Sequence, residues 1–219
     1  MVRRVAYMIE QGIAPENILF FTFTRKAAGE IKERVQRVIG EAANGITMST
    51  YHSFCGKLLR KYIDTIGYAS NFSIYDDEDK TSVLTRILDA LKETDSSWES
   101  ITVPAVIAQI SYWKENMVSC ANAMSSGEDI LMAAIYEKYT QALREDNALD
   151  FDDLIYYTIR ILESIPEVQD EINSRYKYII ADEAQDSSMQ DLRLMTLLAG
   201  RNDQDWNLCM VGDSDQSKE

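Results

Sequence analysis

Apolar positions in the first 66 residues switch repeatedly between two spacings. Val5, Met8 and Ile9 recur at helical spacing between Val2 and Gln11, and Gly12 and Pro15 end that stretch. Ile18-Leu19-Phe20-Phe21-Thr22-Phe23-Thr24 is β-branched and aromatic without in/out alternation, which predicts a central parallel strand covered on both faces. From Arg25 to Ile39 a helix is predicted, with Ala27, Ala28, Ile31, Val35 and Val38 on one side and Lys32, Glu33, Arg34 and Arg37 on the other. A short strand over Ile46 to Thr50 and an amphipathic helix from about His52 to Ile66 follow. This β-α-β-α rhythm predicts an α/β fold.

From Asp76 onward the pattern predicts helices alone, over Asp76 to Thr94, Pro104 to Asn116, Glu128 to Asp146 and Asp152 to Ile165. Strand chemistry returns at Tyr178-Ile179-Ile180-Ala181, followed by a helix from Met189 to Ala199 and a strand from Asn207 to Val211. The expected architecture is a partial parallel sheet interrupted by an all-helical insertion. Its boundaries read as 1–75 for the first part of the α/β domain, 76–175 for the insertion and 176–219 for the second part.

Composition narrows the possibilities. The 219 residues are 46% apolar and 26% charged with 9 Gly and 3 Pro, a globular balance. Three scattered cysteines and one histidine, His52, argue against a disulfide scaffold or a Cys/His zinc site and favour a reducing cytoplasm. Cys55, Cys120 and Cys209 read as small buried apolar residues. No apolar run is long enough to cross a membrane, so no membrane partner is expected. The net charge of −14 conceals a split, because residues 1–62 carry ten Lys and Arg against five Glu while the remainder carries 12 against 31. A local basic face, suited to nucleic acid, is expected inside an acidic chain.

Two predicted strands end in acid-rich segments, Asp182-Glu183-Ala184-Gln185-Asp186 and Gly212-Asp213-Ser214-Asp215-Gln216-Ser217. Carboxylates at the C-terminal ends of parallel strands lie where open α/β sheets bind ligands. In nucleotide hydrolysis one such acid holds Mg²⁺ and its neighbour orients or deprotonates the attacking water. An ordinary solvated strand end is the alternative for either segment alone. Tyr136, Tyr139, Tyr156 and Tyr157 fit helix packing better than base stacking, and Asp76-Asp77-Glu78-Asp79 fits a solvated helix start better than a metal site.

Several of these segments together resemble the UvrD/Rep family of superfamily 1 DNA helicases. Thr22-Phe23-Thr24-Arg25-Lys26-Ala27-Ala28-Gly29-Glu30-Ile31 resembles motif Ia, with Arg25 where Asn is more usual, and Thr50-Tyr51-His52-Ser53-Phe54-Cys55 resembles motif Ib. Leu149-Asp150-Phe151-Asp152-Asp153-Leu154 is similar to the segment that closes the family's helical insertion. Asp182 to Asp186 resembles Walker B, and Val211 to Ser217 resembles motif III. The resemblance implies a RecA-like motor domain that couples ATP hydrolysis, with Mg²⁺, to movement on single-stranded DNA and opening of duplex junctions. It further implies that Asp182 holds the metal, Glu183 is the catalytic base, and Gln185 and Gln216 position the γ-phosphate and water, Gln216 also binding the nucleotide. Thr22, Phe23, Lys26, His52 and Phe54 would line the DNA track. Phe23 also suits a strand core, and His52 also suits a helix cap.

The departures from the family pattern shape a further expectation. Nothing here resembles G-x-x-x-x-G-K-[ST], Met1 falls about where that phosphate loop should end, and motif III stops at Lys218-Glu219 before its aromatic and basic continuation. The chain is therefore expected to be a central piece of the first motor domain, monomeric and inactive by itself. A non-catalytic interaction module derived from a helicase, or an ATPase directed to RNA, are the competing readings, since single-strand contacts alone do not distinguish the two nucleic acids.

Overall fold

The computed structural model describes residues 1–127, 129–200 and 207–212 and divides the chain into two compact units. The first comprises Met1–Leu58 and Thr158–Glu219, and the second Leu59–Tyr157. The chain enters the first unit through helix α1 (Val2–Glu10) and strand β1 (Ile18–Phe21), whose four residues are all buried. Helix α2 (Arg25–Ile39) begins where the Thr24 hydroxyl accepts the Ala27 amide at 3.1 Å. That cap shortens the strand relative to the expected Thr24 end. Strand β2 (Thr47–Ser49) and helix α3 (Tyr51–Tyr62) complete this stretch. Ile18 and Phe20 face a core of Val5, Met8, Ile31, Val35 and Ile180. On the other face Phe21 stacks on Tyr51 at 4.5 Å and meets Phe54 edge-on at 5.3 Å. The unalternating run is thus a strand covered on both sides.

The second unit is not helical alone. Strand β3 (Ser73–Tyr75) leads into helices α4 (Asp77–Lys92), α5 (Val103–Glu115), α6 (Cys120–Ser126) and α7 (Ile130–Glu145), then strand β4 (Ala148–Asp150) and helix α8 (Phe151–Ser164). β3 and β4 pair in parallel with Ser73 opposite Ala148, which corrects the expectation of helices only. Each strand has three residues and a partner more than 70 positions away, so no local period marks it. Asn147, at φ +46°, turns the chain into β4, and its carbonyl accepts the Ser73 amide. α6 also escapes the helical period, being seven residues started by a Ser119 cap. Because Ala69 bonds Asn147 and Tyr68 contacts Tyr157, residues 59–75 pack with this unit, which therefore begins and ends earlier than the 76–175 range read from the sequence. The acidic start at Asp76 is a capping box closed with Asp79.

A core of Leu84, Val106, Ile110, Trp113, Tyr136 and Tyr139 fills this unit, with Trp113 stacked on Tyr136 at 5.6 Å. Within it lies a buried ion cluster. The Lys114 ammonium is 2.8 Å from both Asp150 Oδ2 and Asp153 Oδ1, and Lys80 is 2.7 Å from Asp152 and 3.6 Å from Asp150. Tyr139 donates to Asp150 at 2.9 Å and Ser111 donates to Asp152 at 2.7 Å. Burial opposes the charge on Lys114, but Asp150 and Asp153 outweigh it and hold its pKa well above the ordinary lysine value. Burial likewise pushes Asp150 up, yet Lys114 and Lys80 hold it below the usual carboxylate range. Asp153 is pushed up to about 7 by burial and by Asp150.

The chain returns to the first unit through helix α9 (Pro166–Arg175), strand β5 (Tyr178–Ala181), helix α10 (Met189–Ala199) and strand β6 (Leu208–Met210). α9, which the sequence pattern did not predict, starts at Pro166 with only Ile165 separating it from α8, and Gln169 binds the Leu197 carbonyl of α10. The sheet order is β2-β1-β5-β6 and every pairing is parallel. β5 thus inserts between strands from opposite ends of the sequence. Among the described residues no helix is long and apolar enough to cross a membrane.

The ion cluster makes a stability prediction. Lys114→Met leaves Asp150 and Asp153 buried without their shared cation, and urea unfolding at pH 8 should show a loss of about 3–5 kcal/mol. In that variant both folded-state carboxyl pKa values rise above the unfolded 3.8, so the native state binds more protons than the unfolded chain. The variant should therefore gain stability as pH falls from 8 toward 5, and a deficit independent of pH would contradict the assignment.

Candidate functional site

The register of the parallel sheet brings four strand ends to one edge of the first unit. Phe21 lies opposite Ser49 and Ala181, and Ala181 opposite Met210, so Thr22, Thr50, Asp182 and Val211 leave the sheet together. Backbone bonds stitch this edge: Thr22 N to Ser49 O at 3.1 Å, Asp182 N to Phe21 O at 3.1 Å, and Val211 N to Ala181 O at 2.9 Å. The Ala184 amide then reaches across to Val211 O at 2.9 Å.

Beyond Asp182 the backbone turns sharply. Glu183 adopts a left-handed conformation at φ +54° and ψ +44°, which costs a residue with a Cβ roughly 1–2 kcal/mol. Its amide donates to Asp182 Oδ1 at 3.2 Å, and its side chain is exposed while Asp182 is half-buried. Ala184–Asp186 form a single tight turn, after which Ser188 caps α10. Gln185 packs against Gly212, where an added Cβ would lie 2.6 Å from Gln185 Oε1 and 3.0 Å from its amide nitrogen. Only glycine lets the β6 tip approach that loop so closely. Gln216 lies outside the described residues.

The residues expected to line a DNA track fall into two groups. Phe23 is 50% exposed, and Lys26 and His52 are also exposed, on the β1 and β2 ends of the same edge. Phe23 is therefore not the core aromatic that a longer strand would have made it. Thr22 is 1% exposed and Phe54 5% exposed. Thr22 donates to the Thr24 carbonyl at 3.0 Å, and Phe54 is wedged edge-on against Phe21 and Tyr176. Neither presents a free face to a base; they support the edge from beneath. The alternative of His52 as a helix cap gives way to Thr50, whose hydroxyl accepts the Ser53 amide at 3.3 Å.

One buried acid at this edge was missed. Asp191, the third residue of α10, is 6% exposed and closes a capping box with Ser188, a pattern legible as Ser188-x-x-Asp191. Burial raises its pKa, while its bonds to Ser188 and the charge of His52 act in the opposite sense. Burial pushes Tyr51 up to about 12, and the charge of Asp191 acts in the same sense. Burial also pushes the Cys55 thiol up to about 12, so it supplies no thiolate nucleophile at neutral pH.

Known proteins share this arrangement of segments. The family model for the UvrD/REP helicase N-terminal domain matches residues 1–217. An ATP-dependent DNA helicase PcrA of Staphylococcus aureus (strain Mu50) is 40% identical over 221 residues, covering 99% of this chain and 30% of the relative. The PcrA of Staphylococcus epidermidis (strain ATCC 35984) is 39% identical over the same span. The chain thus spans under a third of the length of these curated relatives. With a parallel sheet whose β5 ends at Asp182-Glu183 within the matched region, this chain belongs to the UvrD/REP helicase family, within its N-terminal domain.

Proposed function

We propose that the chain forms part of a motor that couples ATP hydrolysis to translocation on single-stranded DNA and to separation of duplex junctions. The observation that carries this reading is the shared edge: acids on β5 and a close-packed β6 tip at one end, exposed Phe23, Lys26 and His52 at the other. The relatives named as ATP-dependent DNA helicases support it. Cytoplasmic DNA maintenance by a monomer is the setting in which we place it.

In this reading Asp182 holds Mg²⁺ and Glu183 acts as general base. The donors fit that ion, because Mg²⁺ uses one or two carboxylates with waters and phosphates rather than a protein cage, and among the described residues no cluster of three ligating side chains exists. When bound, Mg²⁺ offsets charge on the transferring phosphoryl group. Glu183, in a left-handed backbone conformation, is exposed, so its carboxylate can take a proton from water. Gln185, held by the β6 tip, and Gln216 position the water and the γ-phosphate. On the other side Lys26 neutralises backbone phosphate and the Phe23 ring offers a stacking face. Thr22 and Phe54 brace that track, and the exposed His52 lies along it.

Three measurements test the proposal. In the longer protein, Glu183→Gln should retain ATP and DNA binding while steady-state hydrolysis falls by about 10²-fold or more; normal turnover would remove Glu183 from the role of base. The 219-residue chain has no G-x-x-x-x-G-K-[ST] segment, so calorimetry with Mg·ATP should give no micromolar affinity, and such affinity would overturn the expectation of inactivity. Anisotropy with labelled oligothymidine should show weak binding by this chain, with a shallow salt slope of roughly −0.7 per phosphate contacted. Phe23→Ala should cost about 1–3 kcal/mol there, and Lys26→Ala should weaken every sequence equally. Binding untouched by both substitutions would place the track elsewhere.

A further inference from the structure

Helices α4 and α7 border a surface groove of about 440 Å³ in the second unit. Ile87 and Leu91 on α4 and Ala142 on α7 form an apolar floor, half-buried against the core, while Ala90 is exposed on the α4 wall. Because Ala90 and Ala142 end at Cβ, neither fills the space beside it. The groove follows α4 from Arg86 to Thr94 and α7 from Lys138 to Glu145, a length of about 10–12 Å at ~1.5 Å per helical residue. Residues i to i+7 of a docked helix span the same distance.

The cations of this unit are unevenly committed. It carries eight Lys and Arg against 18 Asp and Glu. Lys80 and Lys114 lie in the buried ion cluster. Arg60 donates to the Phe72 carbonyl at 2.6 Å, Arg144 donates to the Ile66 carbonyl at 3.2 Å, and Lys61 lies over the Tyr62 ring at 4.7 Å. Of the three that remain, Arg86 and Lys138 both line the groove, and among the described residues neither has a hydrogen-bond or ion-pair partner. The acids that end α7 are engaged instead with neutral groups. Glu145 accepts the Gln141 side-chain amide at 2.8 Å, and Asp146 accepts the Tyr75 hydroxyl at 3.0 Å.

We propose that this groove docks an acidic amphipathic helix of a partner protein, with apolar side chains on the Ile87, Leu91 and Ala142 floor and carboxylates on Arg86 and Lys138. Two uncommitted cations beside bare apolar surface complement a ligand that carries both carboxylates and apolar side chains. A nucleic-acid backbone has the charge without the apolar surface. Asp89 and Glu93 also stand beside Arg86 and Ala90 along α4. They repel a continuous row of phosphates, whereas a peptide helix can turn uncharged polar side chains toward them. The docking reading is independent of the motor edge in the first unit.

The test is anisotropy of a labelled peptide of about 15 residues, long enough to hold a helix, titrated with the 219-residue chain. The peptide carries leucines at i, i+3, i+4 and i+7 and glutamates at the flanking positions. Saturable binding is expected, and Arg86→Gln or Lys138→Gln should each weaken it about two- to fivefold, the scale of one exposed ion contact. Replacing the peptide's glutamates with glutamine should weaken it likewise. Ala90→Leu fills the groove from an exposed position and should abolish saturation. Circular dichroism checks that each variant is folded. Absence of saturable binding, equal binding of a scrambled peptide of the same composition, or binding that all three substitutions leave unchanged overturns the proposal. A short DNA duplex that loses affinity in Arg86→Gln and Lys138→Gln, with no peptide binding, would assign the groove to nucleic acid instead. Self-association of the chain that Ala90→Leu removes, again with no peptide binding, would assign it to a second copy.

Discussion

Parallel pairing of β1 with β5 is the constraint on which the rest of the first unit depends. Parallel strands cannot be joined by a tight turn, so each pairing here requires a crossover, and the chain between β1 and its partner β5 contains the whole second unit. β1 carries hydrogen bonds on both edges and buried side chains on both faces, and each neighbour is placed relative to it. Because all four strands run the same way, their C-terminal ends collect at one edge. Slipping β5 by one residue would turn Asp182 toward the opposite face.

Two backbone features then shape that edge. Glu183 sits in a conformation that side chains disfavour, and the surrounding bonds from Asp182 Oδ1, Phe21 and Val211 hold it there. Gly212 closes the gap to Gln185 by lacking a side chain. Both serve the same geometry: an acid turned outward beside an amide-bearing loop locked to the next strand. Thr22 and Phe54 hold the other half of the edge from below, where the Phe21, Tyr51, Phe54 and Tyr176 rings form a continuous aromatic layer.

The second unit is organised differently, around charge as well as apolar packing. Lys80 and Lys114 come from two helices, while Asp150, Asp152 and Asp153 come from the junction of β4 and α8. Asp150 and Asp153 also exchange amide-to-carboxylate bonds, Asp153 N donating to Asp150 Oδ1 at 2.9 Å and Asp150 N to Asp153 Oδ2 at 3.1 Å. Ions so deeply buried stabilise little relative to apolar groups of similar volume, but an arrangement that lost one partner would leave an uncompensated buried charge. That arrangement joins α4, α5, α7, β4 and α8.

Long periodic segments were legible without the fold. α2 follows from its apolar spacing, α10 was read over Met189 to Ala199, and β1 follows from an unalternating apolar run, because each property is written in neighbouring residues. The motif order from Thr22 to Val211 was legible for the same reason. Tertiary structure decided what depends on distant partners. β3 and β4 exist through pairing across more than 70 positions, and Leu149-Asp150-Phe151-Asp152-Asp153 became a buried ion centre only once two lysines arrived from α4 and α5. Phe23 and Phe54 are the same residue type in adjoining motifs, yet one faces solvent and the other is enclosed. Asp191 is legible as a cap in Ser188-x-x-Asp191, but its burial was decided only by the packing of α10. Local spacing encodes which face of an element is apolar, whereas burial and charge pairing depend on what the rest of the chain places against that face.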